Sequence, residues 1–429
     1  MTDKRVCTMA AGLVGSEILK IAADIRTMVS EGATVCNLTV GDFSPAEFPI
    51  PSYLQQEIVA ALQAGETNYP PSDGVPQLRQ AVQAFYQQWL GLDYPLDSIL
   101  VTGGSRPGIY STYTAVVDPG DTVIYPVPSW NNNHYVHMSG ACGVQVVCDE
   151  STAFLPTRAQ LEPVVRGARL LALNSPLNPS GTAFTAQALG EICDLVLEEN
   201  ARRGPDERPL YVMYDQVYWM LTFEGTEHVN PVSLRPEMRE YTIFIDGISK
   251  AFAATGVRVG WTVGPVDVTR RMASILGHVG AWAPRAEQVA TAKLLGATDE
   301  VERYRTEMLG QVQARLDALY GGINRLAETG LPVSAIPPMG AIYLSARFCL
   351  HGWSTPDGEV LRTNEDIRRY LLDAAGLALV HFQAFGMGDD TGWFRASVGA
   401  VSLEAIEAMF ARLRPALDAL RAPEAAAAD

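Results

Sequence analysis

Several polar residues stand where short apolar runs end, and each is of a type that can act on a small charged molecule. Lys250 lies in Asp246-Gly-Ile-Ser-Lys250-Ala-Phe-Ala-Ala-Thr-Gly-Val-Arg258-Val-Gly260. A lysine just past a buried strand loses solvation, which lowers its pKa and leaves a neutral, nucleophilic amine. Arg258, in the same string, can neutralise a phosphate. A lone lysine at a strand end is more often a surface residue, but the whole string is far more specific. Asp215, in Tyr214-Asp215-Gln216-Val217-Tyr218, needs a partner, because burying an unpaired carboxylate is costly. A cationic ring nitrogen would serve; a helix N-cap is the plainer alternative. In Asn174-Ser-Pro-Leu-Asn178-Pro-Ser-Gly181, prolines on both sides hold Asn178, either as a rigid amide for an anionic oxygen or as an ordinary Pro/Gly loop. Thr102-Gly-Gly-Ser-Arg-Pro-Gly leads into a helix. Glycines there let backbone N–H groups reach a phosphate at the helix N-terminus, although a tight strand–helix turn reads the same.

The elements that must position these residues alternate. Strands are expected over 98–102, 122–126, 144–148, 169–174, 210–214, 242–246 and 259–263. Most are continuous apolar runs, the mark of strands buried on both faces of a mostly parallel sheet. Helical patterns lie between many of them, at 106–116 and 186–202 for instance. The pattern is α/β, a large domain with a mostly parallel, doubly wound sheet flanked by helices. Ligands of such sheets sit beyond the carboxyl ends of the strands, which is where the polar residues fall. An amphipathic helix is expected over 15–30, with Ile18, Ile21, Ala22, Ile25, Met28 and Val29 on one side. One long helical region over 266–329 leads to a smaller α+β domain with strands at 341–346 and 377–380. The tail from Ala422 reads as frayed.

The chain has 429 residues, 48% hydrophobic and 19% charged, with a formal charge of -16. That length suits two unequal domains. Such an acidic surface repels phosphate backbones and anionic membranes, so no nucleic acid or membrane partner is expected. The six cysteines form no CxxC pair or His/Cys cluster, so no metal site is expected. Their scatter fits a reducing cytoplasm. No signal peptide or membrane-spanning run is read.

Taken together, SK-AFAATG-R-G, NSPLNPSG and YDQVY resemble the fold type I pyridoxal phosphate enzymes, specifically the class I/II aminotransferases. Motif order and spacing match from Gly41 to Arg395. The resemblance implies pyridoxal 5'-phosphate as cofactor, amino acid and keto acid as substrates, and a homodimer with shared active sites. It implies an N-terminal segment (1–50) packing with the small domain, a large cofactor-binding domain (51–320) and a small C-terminal domain (321–429). Lys250 resembles the lysine that forms the Schiff base and moves a proton. Asp215 matches the carboxylate that keeps the pyridine nitrogen protonated. Asn178 and Tyr218 match the pair that bonds the phenolic oxygen, and Trp130 the aromatic stacked on the ring. Gly104, Ser105 and Arg106 match the phosphate-binding turn, and Arg258 the phosphate-neutralising arginine. Tyr69 resembles the tyrosine that reaches the neighbouring subunit's phosphate. Arg395 matches the arginine that grips the substrate carboxylate, near which Gly41 brings backbone; a planar guanidinium can bind a carboxylate bidentately.

Two departures stand out. The family often has Ser or Thr where this chain has Gly247; Ser249 is the nearest hydroxyl. Dicarboxylate-specific members use a further arginine from the partner, for which Arg285 and His278 are weak counterparts. Trp282 and the run from Asn131 to Tyr135 are candidates for shaping the pocket or for a plain surface turn and helix. An aminotransferase moving an amino group between an L-amino acid and a 2-keto acid is the leading reading. The alternative within the fold group is β- or γ-elimination, replacement or C–C bond formation, in some cases on S-adenosylmethionine. A regulatory protein that keeps the fold is the reading from another class, and the acidic charge counts against DNA.

Overall fold

The computed structural model describes residues 5–423 except 14 and 16. In chain order the strands are β1 (Cys36–Asn37), β2 (Ile99–Thr102), β3 (Thr122–Val127), β4 (Cys142–Val147), β5 (Leu170–Asn174), β6 (Tyr211–Asp215), β7 (Thr242–Gly247), β8 (Gly260–Val263), β9 (Val333–Ala335), β10 (Tyr343–Phe348), β11 (Leu377–Ala378), β12 (Val380–His381) and β13 (Trp393–Ser397).

A seven-stranded sheet in the order β2-β8-β7-β6-β5-β3-β4 forms the large domain. All its pairings are parallel except those of β8, which runs against both β2 and β7. This is the mostly parallel sheet expected. Strands β2, β7 and β8 are buried at every residue, which explains runs without alternation. Strand β4 differs. It forms the sheet's edge and is mostly exposed, so its apolar Val147 faces solvent.

The helical region over 266–329 is not one helix but three: Val266–Val279, Arg285–Gly296 and Thr298–Glu328. Gly280 takes a left-handed conformation at φ 73° and ends the first, as glycine readily does. The released chain lets Ala281 O accept from Gly103 N at 3.0 Å. Pro284 precedes the second helix, which then packs on helices Ser52–Gln63 and Pro76–Leu90.

The third helix carries Met308, Val312, Leu316 and Leu319 into a second apolar core. That core is centred on the antiparallel sheet β12-β13-β10-β9 of the small domain. Cys36, Leu38, Phe43 and Phe48 join it from the N-terminal side, and β1 pairs with β11 in parallel. The expected strand at 377–380 is split into β11 and β12. The N-terminal helix spans Glu17–Ser30 with Ile21 and Ile25 buried; the side chain of Ile18 and the tail 424–429 lie outside the described residues. Among the described residues no helix is long and apolar enough to cross a membrane.

Candidate active site

A cleft of about 680 Å³ opens at the carboxyl ends of β5, β6 and β7 and is closed by residues of the small domain. It collects Gly41, Ser105, Arg106, Trp130, Asn178, Asp215, Tyr218, Ser249, Lys250, Arg258 and Arg395. Gly104 lies one residue from the lining. Tyr69 does not line the cleft. It is 82% exposed, with its ring edge-on to Trp282 at 5.4 Å.

Lys250 sits on the short helix Ile248–Ala251 directly after β7. Its Nζ donates to Gly41 O at 2.6 Å. Burial pulls its pKa down from 10.5 to about 8; Arg395 and Arg106 act the same way, and Asp42 and Asp215 oppose them. Asp215 ends β6, and burial pushes its carboxyl up to about 7 against the Val217 N–H and Lys250. The backbone around it is held by neighbours: Asn174 Nδ2 and Ser175 N both donate to Asp215 O, at 2.8 and 3.0 Å. Asn174 Oδ1 also receives Asn178 N at 2.8 Å, so the proline-flanked loop is anchored on the strand that carries it.

Arg395 lies within β13, between β10 and β12, and is 1% exposed. Its Nη1 donates to Asn178 Oδ1 at 3.1 Å and its Nη2 to Thr39 O at 2.6 Å. Its Nε has no hydrogen-bond partner among the described residues. The guanidinium faces the rings of Tyr343 and Phe385, each at 4.9 Å. Tyr343 and Tyr218 share a hydroxyl–hydroxyl hydrogen bond of 2.6 Å. Tyr343, Thr39 and Asp42 were not singled out from sequence. Tyr343 sits in an apolar strand, and the other two near Gly41 in a loop without a pattern of its own.

Arg258 follows the lysine turn in a left-handed conformation, φ 62°. Its Nη1 donates to Thr255 O at 2.7 Å and its Nη2 to Gly103 O at 2.9 Å. Gly104 precedes helix Ser105–Val116, whose N-terminus has no side-chain cap, so its first-turn N–H groups remain available to an anion. A Cβ at Gly104 would come within 2.1 Å of Arg258 Nη2. At Gly247 a Cβ would meet Gly260 Cα at 2.7 Å, and at Gly260 it would meet Gly104 C at 2.7 Å. Backbone packing therefore keeps a hydroxyl-bearing side chain out of position 247, while Ser249 lines the cleft. Arg106 places its guanidinium 4.6 Å from the centre of the Trp130 ring. Asn131 and Tyr135 also line the cleft. Arg285 does not; its Nε donates to Glu66 at 2.5 Å. His278 and Trp282 are outside the lining too.

The mixed seven-stranded sheet, the small antiparallel sheet and the lysine–carboxylate–arginine cleft between them define a class of enzyme, and comparison with known proteins agrees. The family model "Aminotransferase class I and II" matches residues 33–413. The chain is 33% identical over 408 residues to an aspartate aminotransferase of Rhizobium meliloti (strain 1021), covering 94% of each. A crystal structure of the aspartate aminotransferase from Rhizobium meliloti superposes with a TM-score of 0.87 at 30% identity, covering 97% of this chain and 99% of that one. The Thermus thermophilus aspartate aminotransferase with maleate gives 0.84 at 25% identity, covering 96% and 99%. The chain belongs to the class I and II aminotransferases. Enzymes of this family use pyridoxal 5'-phosphate, and this protein is an aminotransferase.

Proposed function

We propose that Lys250 is the point of attachment of pyridoxal 5'-phosphate and that amino transfer between an L-amino acid and a 2-keto acid takes place in this cleft. The observation that carries the reading is one half-buried amine, with a pKa near 8, sharing a cleft with a half-buried carboxylate and a buried arginine. The residues present fit the cofactor. Asp215 is a half-buried acid without a salt bridge among the described residues, and a protonated ring nitrogen would supply its partner. The uncapped helix N-terminus at Ser105, with Arg258 packed over Gly104, forms a cradle for a phosphate.

Held there, pyridoxal phosphate would supply an electron sink for the amino acid's Cα. The chain's own residues do the rest. Arg395 holds the α-carboxylate by a planar pair of N–H groups and so orients the Cα–H bond. Lys250 Nζ, held in a dry site that favours its neutral form, takes that proton and returns one. Tyr218 and Asn178 would hold the cofactor's phenolic oxygen, Trp130 would cover its ring, and Ser249 would supplement the phosphate cradle.

The same reading includes a homodimer, supported by Tyr69, which is exposed and does not line its own cleft, as expected of a residue serving a neighbour. It includes a cytoplasmic location, consistent with six free cysteines. It divides the chain near residues 50 and 320. L-Aspartate is the donor to test first. The relatives above bear its name, and Arg106 lines the cleft without an ion pair among the described residues.

The test is an absorbance spectrum of the purified protein, taken before and after adding single amino acids, maleate or S-adenosylmethionine without keto acid. A yellow band that one amino acid converts to the pyridoxamine form supports transamination and identifies the donor. A band that persists with S-adenosylmethionine, with no pyridoxamine form, points instead to elimination or replacement. Lys250→Ala should abolish the yellow band, and an unchanged band would sink the assignment.

A further inference from the structure

We propose that Asp246, which lies outside the cleft, is a positioning residue: its carboxylate joins the turn bearing Lys250 to the turn bearing Asp215 and Tyr218 and sets their relative place. The inference rests on the reading of Lys250 and Asp215 given above.

Asp246 lies near the end of β7, beside the strand that ends in Asp215. It is 1% exposed and does not line the cleft. Three donors meet its carboxylate. Gly247 N reaches Oδ1 at 2.8 Å. Tyr86 Oη and Trp219 Nε1 each reach Oδ2 at 3.0 Å. These donors come from different places: Gly247 opens the Lys250 turn, Trp219 directly follows Tyr218, and Tyr86 belongs to helix Pro76–Leu90. A second layer supports the first. Tyr86 Oη receives Trp261 Nε1 at 3.2 Å and Gln216 Nε2 at 3.3 Å, and Gln216 is the residue after Asp215.

The direction of these bonds is fixed. An indole nitrogen can only donate. Tyr86 already receives two N–H groups, so its own hydrogen goes to Asp246. Protons therefore converge on the carboxylate, and the arrangement fits its ionised form. Burial pushes its pKa up to about 7, the charge of Asp215 acts the same way, and the three donors oppose them. A buried carboxylate with only N–H and O–H groups for company leaves a large penalty if a donor is withdrawn. Moving either turn would withdraw one. Gly247 and Trp219 are thus tied to one pair of oxygens, and with them the amine of Lys250 and the carboxylate of Asp215.

The test uses the full-length enzyme with cofactor bound, and compares Asp246→Asn, Tyr86→Phe and Trp219→Phe with Lys250→Ala. Asp246→Asn keeps the shape but removes the charge and, with its oxygen turned to Tyr86 and Trp219, sets an NH2 against the Gly247 N–H. Misplacement of reacting groups by about 1 Å costs about 10²-fold in rate, so kcat should fall by about that factor. KM, for the amino acid that converts the yellow band fastest, should change less than kcat. The yellow band should shift, and it should form more slowly when pyridoxal phosphate is added to the apoprotein. Tyr86→Phe and Trp219→Phe each remove one donor and should lower kcat by roughly 5- to 10-fold, the effect of one hydrogen bond of about 1 kcal/mol. If Asp246→Asn fails to fold, the two aromatic variants decide. Unchanged kcat, band and rate of band formation in the variants that fold, with only a lower melting temperature, would overturn the inference while leaving the Lys250 assignment standing. A yellow band that survives Lys250→Ala would overturn both.

Discussion

The two walls of the cleft are built on different plans. Asp215, Lys250 and Arg258 follow one another on the neighbouring strands β6, β7 and β8, at strand ends or in the turn between them. The opposite wall has no such frame. Arg395 lies inside β13 and meets the cleft through Thr39 O and Asn178 Oδ1, with Tyr343 stacked against it. Its contacts join segments more than 200 residues apart in sequence. The sheet positions the first wall as one rigid object. The second exists only while the N-terminal segment, the small domain and the proline loop stay together. Substitutions in the first wall should therefore act on chemistry, and those in the second on the grip on substrate.

Asp215→Asn tests the first half of that contrast most strongly. Losing a fixed charge aimed at the reacting system costs about 10²- to 10³-fold in kcat, and KM should change far less. Steady-state kinetics would break the contrast if KM rose in step. Arg395→Lys keeps a positive charge but loses the fork geometry. Charge-assisted bonds contribute about 1.5–3 kcal/mol, so KM should rise roughly 10- to 100-fold while the cofactor band stays in place. A collapse of kcat without a rise in KM would show that the two walls are not separable. Tyr343→Phe removes one hydrogen bond to Tyr218 and should change kcat/KM by about 5-fold.

A subtler test reads the amine itself. Burial lowers the Lys250 pKa to about 8, so more of the apoprotein carries a neutral, reactive amine as pH rises. The rate of pyridoxal phosphate attachment should climb with pH and level off above about 8. An unburied lysine would continue to climb toward its ordinary value of 10.5.

The same contrast explains what could be read from sequence. Strand ends of a parallel sheet announce themselves as apolar runs followed by polar residues, so Asp215 and the turn bearing Lys250 are legible, as are most of the strands; Arg258, which precedes the antiparallel β8, is read only with the lysine string. Tyr343 is not legible, because a tyrosine within an apolar strand looks like core until its hydroxyl partner is known. Asp42 and Thr39 lie in a loop, where no periodicity separates functional residues from others. Asp246 was visible only as part of the lysine string. The break at Gly280 is hard to read because the helical period resumes after it, and the contact that holds the released chain, Ala281 O with Gly103 N, is far away in sequence.

The contact of Gly247 with Gly260, and of Gly260 with Gly104, has a consequence for descent. Three positions on separate segments share one column of backbone, so none can acquire a side chain by itself at small cost. Position 260 is already glycine and what a Cβ at 247 meets there is backbone, so no substitution at 260 can make room for a hydroxyl at 247. Only a shift of the main chain could, and the three glycines are held as a set by backbone rather than by side chains.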